Sequence, residues 1–134
     1  MAYWLFKTEP SCYNFDELEK DKKTCWDGVA NNLALKYLRQ VKKGDLAIIY
    51  HTGDERSAIG VAEVVTEPYV DPKEDDAKLA VVDVKAKKRL AKPVSLAQIK
   101  ANPAFADFLL VTMSRLSVMP VTDKQWKMIV GNEK

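Results

Sequence analysis

The chain has 134 residues, 47% of them hydrophobic, enough for one domain with a real core and no dependence on covalent staples. Its 21 basic and 19 acidic residues leave a net charge of +2, too small a sum to announce nucleic acid by itself. Cys12, Cys25 and the single histidine, His51, stand without ligand spacing and argue against a metal centre, and no apolar run nears the roughly 18 residues of a membrane span.

"MAYWLFKTEP" lacks the basic region, long apolar region and small-residue cleavage site of a leader, so the expectation is a soluble cytoplasmic protein with reduced thiols and no cofactor. No repeat, linker or composition break divides residues 1–134, which read as a single domain.

In chain order, "YWLFKTE" reads as an aromatic-rich strand ended by Pro10, with Trp4 and Phe6 on one face and Tyr3, Leu5 and Lys7 on the other. Asn14 is placed to cap a short helix in which Asp16 and Glu17 suit the positive end, while Phe15 and Leu18 share a side. In "CWDGVANN" the largest aromatic, Trp26, stands before the turn-forming pair Asp27-Gly28 rather than inside a periodic apolar run. Leu33, Ala34, Tyr37, Leu38 and Val41 then recur at helical spacing, capped by Asn31 or Asn32.

"KKGD" reads as a turn, and "LAIIYHT" and "AIGVAEVVTE" as an antiparallel strand pair joined by "GDERS". The acidic stretch "DPKEDD" at 71–76 precedes the strand "KLAVVDVKAKKRL", whose Val82, Val84 and Ala86 face one way and Asp83, Lys85 and Lys87 the other. Ser95 caps "LAQIKA", Asn102-Pro103 stops it, and "FLLVT" reads as the start of a further strand. In "TDKQWKMIVG", Thr122 and Gln125 have capping-box spacing, Trp126, Ile129 and Val130 share a face, and Gly131 closes the helix. Trp4 and Trp126 are read as packing residues because both fall within such patterns. Strands outnumber helices and several neighbours read as antiparallel, so the expected class is α+β: a small closed or nearly closed barrel with peripheral helices.

Phosphate-cradling and nucleophile-elbow spacings are absent. What remains is a set of turn and strand-end residues, "FKTEPS", "CWDGVANN", "YHT" and "SRLSV", that combine flat aromatic area with neutral polar groups. A nucleobase needs a π face, groups to meet its polar edge and a basic rim for phosphates. Trp26 suits the first, Asn31 the second, and Arg115 or Lys7 the third. The basic run "KAKKRLAK" reads either as a solvated strand edge or as phosphate-contacting through Lys85, Lys87, Lys88 and Arg89.

The blocks "YWLFKTEPS", "WDGV" with Asn31, "GDLAIIYHT" and "SRLSVMPV" together resemble the signature blocks of the EVE domain family, of the PUA-like superfamily that also holds the YTH and ASCH domains. The resemblance implies a PUA-like pseudo-barrel whose central pocket takes a modified nucleobase, flipped from DNA in members linked to modified cytosine, and which binds without catalysis. It implies a pocket of Lys7, Glu9, Ser11, Trp26, Asp27, Val29, Asn31, His51, Arg115, Leu116 and Ser117, with Val29 and Leu116 sensing the base substituent. Where family members commonly carry an arginine and an aromatic around the "WDGV" helix start, this chain has Ala30 and Asn32, and Thr52 replaces a more usual serine. The implied partner is nucleic acid, a 5-substituted cytosine in DNA; the competing expectations are a nucleoside hydrolase using Lys7 and Glu9, and a protein-interaction module with a vestigial pocket.

Overall fold

The computed structural model describes residues 2–27, 29, 31–70, 79–113 and 115–131. The acidic stretch 71–76 lies outside the described residues, as do Gly28, Ala30 and Ser114 from the motif blocks.

Among the described residues the strands are β1 (Tyr3–Thr8), β2 (Lys23–Trp26), β3 (Leu46–His51), β4 (Ser57–Val64), β5 (Tyr69–Val70), β6 (Ala80–Ser95) and β7 (Val118–Val121). The helices are α1 (Phe15–Asp21), α2 (Asn32–Leu38), α3 (Leu96–Ala101), α4 (Leu109–Thr112) and α5 (Asp123–Val130). The sheet runs β2-β6-β4-β3-β1-β7, with β5 pairing separately on β6. Each described pairing is antiparallel except β1 with β3, which is parallel. The fold is therefore α+β, as expected, but the sheet is not closed: β2 and β7 are the two ends of the described ladder. Pro120 in β7, opposite Trp4, fits such an edge because proline donates nothing to a ladder.

Local chemistry explains the helix starts. Asn14, Ser95 and Thr122 each accept from the backbone three residues on, while Glu17, Gln98 and Gln125 reach back, three complete capping boxes. Asn31 caps α2 by accepting from Leu33 and Ala34. Val41, expected on this helix, lies beyond its end at Leu38 yet is still buried. "FLLVT" is corrected: Phe108 flanks and Leu109–Thr112 form a helical turn, because a short apolar run fits a buried helix as well as a strand. Two strands, β2 and β7, carried no alternation long enough to read.

β1 and β3 lie inside the sheet and bury Trp4, Leu5, Phe6 and Ala47 to His51. Trp4 and Trp126 are core residues, Trp126 stacking on Tyr3 with ring centroids 4.2 Å apart. The parallel pair has no hairpin to set its register, and a buried carboxylate does so. Asp45 is 4% exposed and accepts from the backbone N–H of Ala2 (3.0 Å), the Trp4 indole (2.9 Å) and the backbone N–H of Lys42 (2.9 Å). It thereby ties the start of β1 to the turn that begins β3.

Gly60 of β4 faces the ring of Phe15, the first residue of α1; a Cβ there would stand 2.6 Å from Phe15 Cε1 and 2.7 Å from Cε2. Phe15 is fully buried and cannot withdraw. Among the described residues no helix is long and apolar enough to cross a membrane.

Two substitutions test these contacts by urea denaturation. Gly60→Ala overpacks the Phe15 site and is expected to cost about 1–3 kcal/mol. Asp45→Asn turns one acceptor into a donor facing N–H groups and is expected to cost about 1–3 kcal/mol, and an unchanged midpoint would contradict the clamp.

Candidate functional site

β1 and β2 end beside a cleft of about 810 Å³, within the range of about 300–1,000 Å³ usual for small-molecule sites. Lys7, Thr8 and Glu9 come to it from the end of β1, Cys12 and Tyr13 from the loop before α1, and Lys23 to Trp26 from β2, followed by Asp27. The loop is held by its own turn. Cys12 and Tyr13 both donate backbone N–H groups to Glu9 O at 2.9 Å, and Thr8 Oγ1 donates to Tyr13 O at 2.7 Å.

Trp26 differs from its sequence reading. Its ring is only 6% exposed, tilted against Phe6 at 5.7 Å and met edge-on by Tyr13 at 6.5 Å, with an interplanar angle of 82°. It is a packed wall of the cleft rather than an uncovered indole, because Trp26 ends a strand that pairs with β6 opposite Val82. Tyr13, half-buried in the loop, shares that wall.

The Glu9 carboxylate is fixed by two hydroxyls: Ser11 donates to Oε1 and Thr52 to Oε2, each at 3.2 Å. Gly53 lies against the same carboxylate at φ 72°, where a side chain is strained, and a Cβ there would stand 3.0 Å from Oε1 and push the carboxylate by a few tenths of an ångström. Lys7 is half-buried, its Nζ 5.9 Å over the Tyr50 ring, and burial pushes its pKa below the usual lysine range.

Lys7, Glu9, Trp26 and Asp27 thus line one cleft, with Ser11 bonded at its edge. The other expected pocket residues are not among those lining this cleft. Val29 and Leu116 belong to the core at 7% and 2% exposure, so neither offers apolar surface to the described cleft. The Asn31 oxygen accepts both cap bonds of α2. His51 is buried: Nε2 accepts from the Phe15 N–H at 3.0 Å, which places the proton on Nδ1, 3.0 Å from Glu55 Oε2. It supports the start of α1 rather than lining the cleft. Ser117 meets Lys7 through its backbone carbonyl, at 2.9 Å, and Arg115 is exposed on the turn before β7.

The four basic residues expected at phosphates lie on β6, where Arg89 and Lys85 meet acids. Arg89 bonds Asp16 and Glu19 of α1 and covers the Phe15 ring at 5.1 Å, and Lys85 stands 3.8 Å from Glu63. Lys87 and Lys88 line a shallow groove beside Lys22 and Glu19. Among the described residues no three His, Cys, Asp or Glu side chains converge to hold a metal ion.

Sequence reading missed Cys12, Tyr13, Lys23 and Thr24, whereas Thr8 and Cys25 fell inside the stretches "FKTEPS" and "CWDGVANN" without being named for the pocket. Tyr13 carried the same signal that singled out Trp26, an aromatic outside any periodic run and beside turn residues. The β2 residues carried none, because only pairing with β6 makes that segment a strand.

Residues 2–132 match the EVE domain family model. Thymocyte nuclear protein 1 of Rattus norvegicus is 31% identical over 166 residues, covering 98% of this chain and 74% of the relative. An NMR structure of a Rhodopseudomonas palustris protein is 40% identical with a TM-score of 0.91, over 97% of this chain and 91% of that one. The crystal structure of human THYN1 protein in complex with 5-methylcytosine containing DNA is 27% identical with a TM-score of 0.88, over 100% of this chain and 99% of that one. Built on an open α+β sheet of this order and matched along almost its whole length, the chain belongs to the EVE domain family, with its PUA-like fold.

Proposed function

We propose that this EVE domain binds DNA and holds a modified base, a 5-substituted cytosine, in the cleft between the ends of β1 and β2, as a reader and not a catalyst. The observation that carries the proposal is the lining of a single cleft by an aromatic pair, two carboxylates and two lysines, Tyr13 and Trp26 with Glu9, Asp27, Lys7 and Lys23. The likeness to human THYN1 protein, solved with 5-methylcytosine containing DNA, supports the same ligand class.

Cytosine presents an amino donor at N4 beside acceptors at N3 and O2. The carboxylates of Glu9 and Asp27 are suited to the donor, and the Lys7 ammonium to an acceptor. Because Glu9 already accepts from Ser11 and Thr52, it is held as a fixed acceptor, which favours recognition over proton shuttling. Aromatic contact from Tyr13 and the reachable part of Trp26 supplies about 1–3 kcal/mol of sequence-tolerant affinity. With Val29 and Leu116 in the core, a 5-methyl group meets the aromatic wall and Cys25 instead. One methyl is worth about 1 kcal/mol, so discrimination between modified and unmodified cytosine is about fivefold. Arg115 and Ser117, on the segment that pairs its backbone with Lys7, remain assigned to the rim of the same site.

A fluorescence-anisotropy titration across oligonucleotides bearing cytosine and adenine modifications tests the reading. The wild type is expected to prefer 5-substituted cytosine, and Asp27→Asn, at an exposed position, to reduce affinity for every cytosine about tenfold or more while circular dichroism shows the variant folded. Equal affinities across the panel would overturn the reader, and a chromatographically detected product lost in Lys7→Ala would replace it with a hydrolase.

A further inference from the structure

A second hollow, of about 290 Å³, shares Lys7 with the cleft. Lys7, Arg56 and Lys100 supply three cations to its lining, Tyr50 an aromatic ring and hydroxyl, and Thr52 and Gly53 a short polar edge, with no carboxylate among the described lining residues. We infer that this hollow holds a phosphate of the DNA strand whose base enters the cleft, an inference that rests on the reading of the cleft given above.

Three features converge on it. Lys7 lines both spaces, so a base in one and its neighbouring phosphate in the other meet through one side chain. Arg56 is held in the left-handed region at φ 42°, a conformation unfavourable for any residue with a Cβ; its Nε donates to Gly53 O at 3.1 Å and its carbonyl accepts from Leu96 N at 2.7 Å. With Nε committed to the loop, the terminal nitrogens of the guanidinium fork are the ones offered to a phosphate. Arg56 and Lys100 also line a further hollow of about 250 Å³ beyond, so cleft and hollows run in series, sharing cations at each junction, as a backbone-tracking groove requires.

What favours this path over the lysine-lined groove on β6 is its junction with the cleft at Lys7. Arg89 there is bonded to Asp16 and Glu19, and Lys85 lies near Glu63. Three carboxylates stand near the hollow in sequence: Glu9 accepts from Ser11 and from Thr52 at its edge, Glu55 is 3.0 Å from His51 and lines the further hollow, and Asp54 is exposed on the loop beside Gly53.

The test measures the salt dependence of binding to a 5-methylcytosine oligonucleotide, an unmodified one and one with an abasic site at that position. Lys100→Ala and Arg56→Gln are each expected to lower the slope of log K against log salt by about one for all three, weakening binding about threefold more at 50 mM than at 200 mM salt. The ratio between modified and unmodified DNA stays unchanged. Lys100→Arg is expected to restore the slope, and Lys127→Ala, the same charge loss on α5, to leave it at the wild-type value. Lys100 is exposed, so its loss threatens no core contact. Slopes unaltered in both hollow variants alongside a retained modified-base preference would overturn the phosphate site and spare the reader. Reduced slopes in a protein without base preference would do the reverse, and a wild type that binds none of the oligonucleotides would overturn both.

Discussion

The parallel pairing of β1 with β3 is the constraint on which the cleft depends, and the Asp45 carboxylate sets it. Parallel strands are not neighbours in a hairpin, so their register must come from side chains and packing. Asp45 holds Ala2 and Trp4 at one end, and the ladder then carries Lys7 opposite Tyr50 and Thr8 opposite His51 at the other. A one-residue slip would send Trp4 and Phe6 to the wrong face and pull Lys7 away from Tyr50 and the cleft. The charge is buried at a cost, yet three N–H donors satisfy it, which is the condition under which such a group is tolerated.

The same economy appears at the other buried polar groups. His51 receives the Phe15 N–H, one of the donors that a helix start leaves without an intrahelical partner, while the Asn14 side chain receives that of Glu17. Phe15 presses on Gly60 and lies beneath Arg89, so α1 is fixed from below by a histidine and a glycine and from above by a cation. The loop between β1 and α1, which brings Cys12 and Tyr13 to the cleft, is therefore anchored at both ends. A cleft wall built on an anchored loop loses little entropy when a ligand binds against it.

The polar groups around the cleft are held in place by their own contacts. Glu9 is hydrogen-bonded on both oxygens and crowded by Gly53, and Trp26 is wedged between Phe6 and Tyr13. Rigid acceptors and a rigid aromatic wall suit recognition of a flat heterocycle, whose energy comes from stacking and a few oriented hydrogen bonds. The cations lie beside this wall, at Lys7, Arg56 and Lys100, where a strand would have to run for its base to enter.

The sequence by itself determined whatever depends on neighbours along the chain. Asn14, Ser95 and Thr122 with their partners three residues on specify helix starts, the alternation in β1 and β6 specifies faces, and the spaced blocks from Tyr3 to Val121 specify the family. Only the tertiary structure decided that "KTCW" and "VMPV" are strands, that "FLLVT" is helical and that the sheet stays open, because short segments take their conformation from the partners they pack on. It also decided the charges: Arg89 reads as a phosphate ligand until acids 73 and 70 residues away neutralise it, whereas Arg56 and Lys100 gain their meaning from folding beside Lys7. Trp26 was legible as an aromatic out of pattern but not as a covered one, since burial is set by Phe6 and Tyr13 arriving from another strand and its loop, and electrostatic and packing partners are fixed by distance in space, not in sequence.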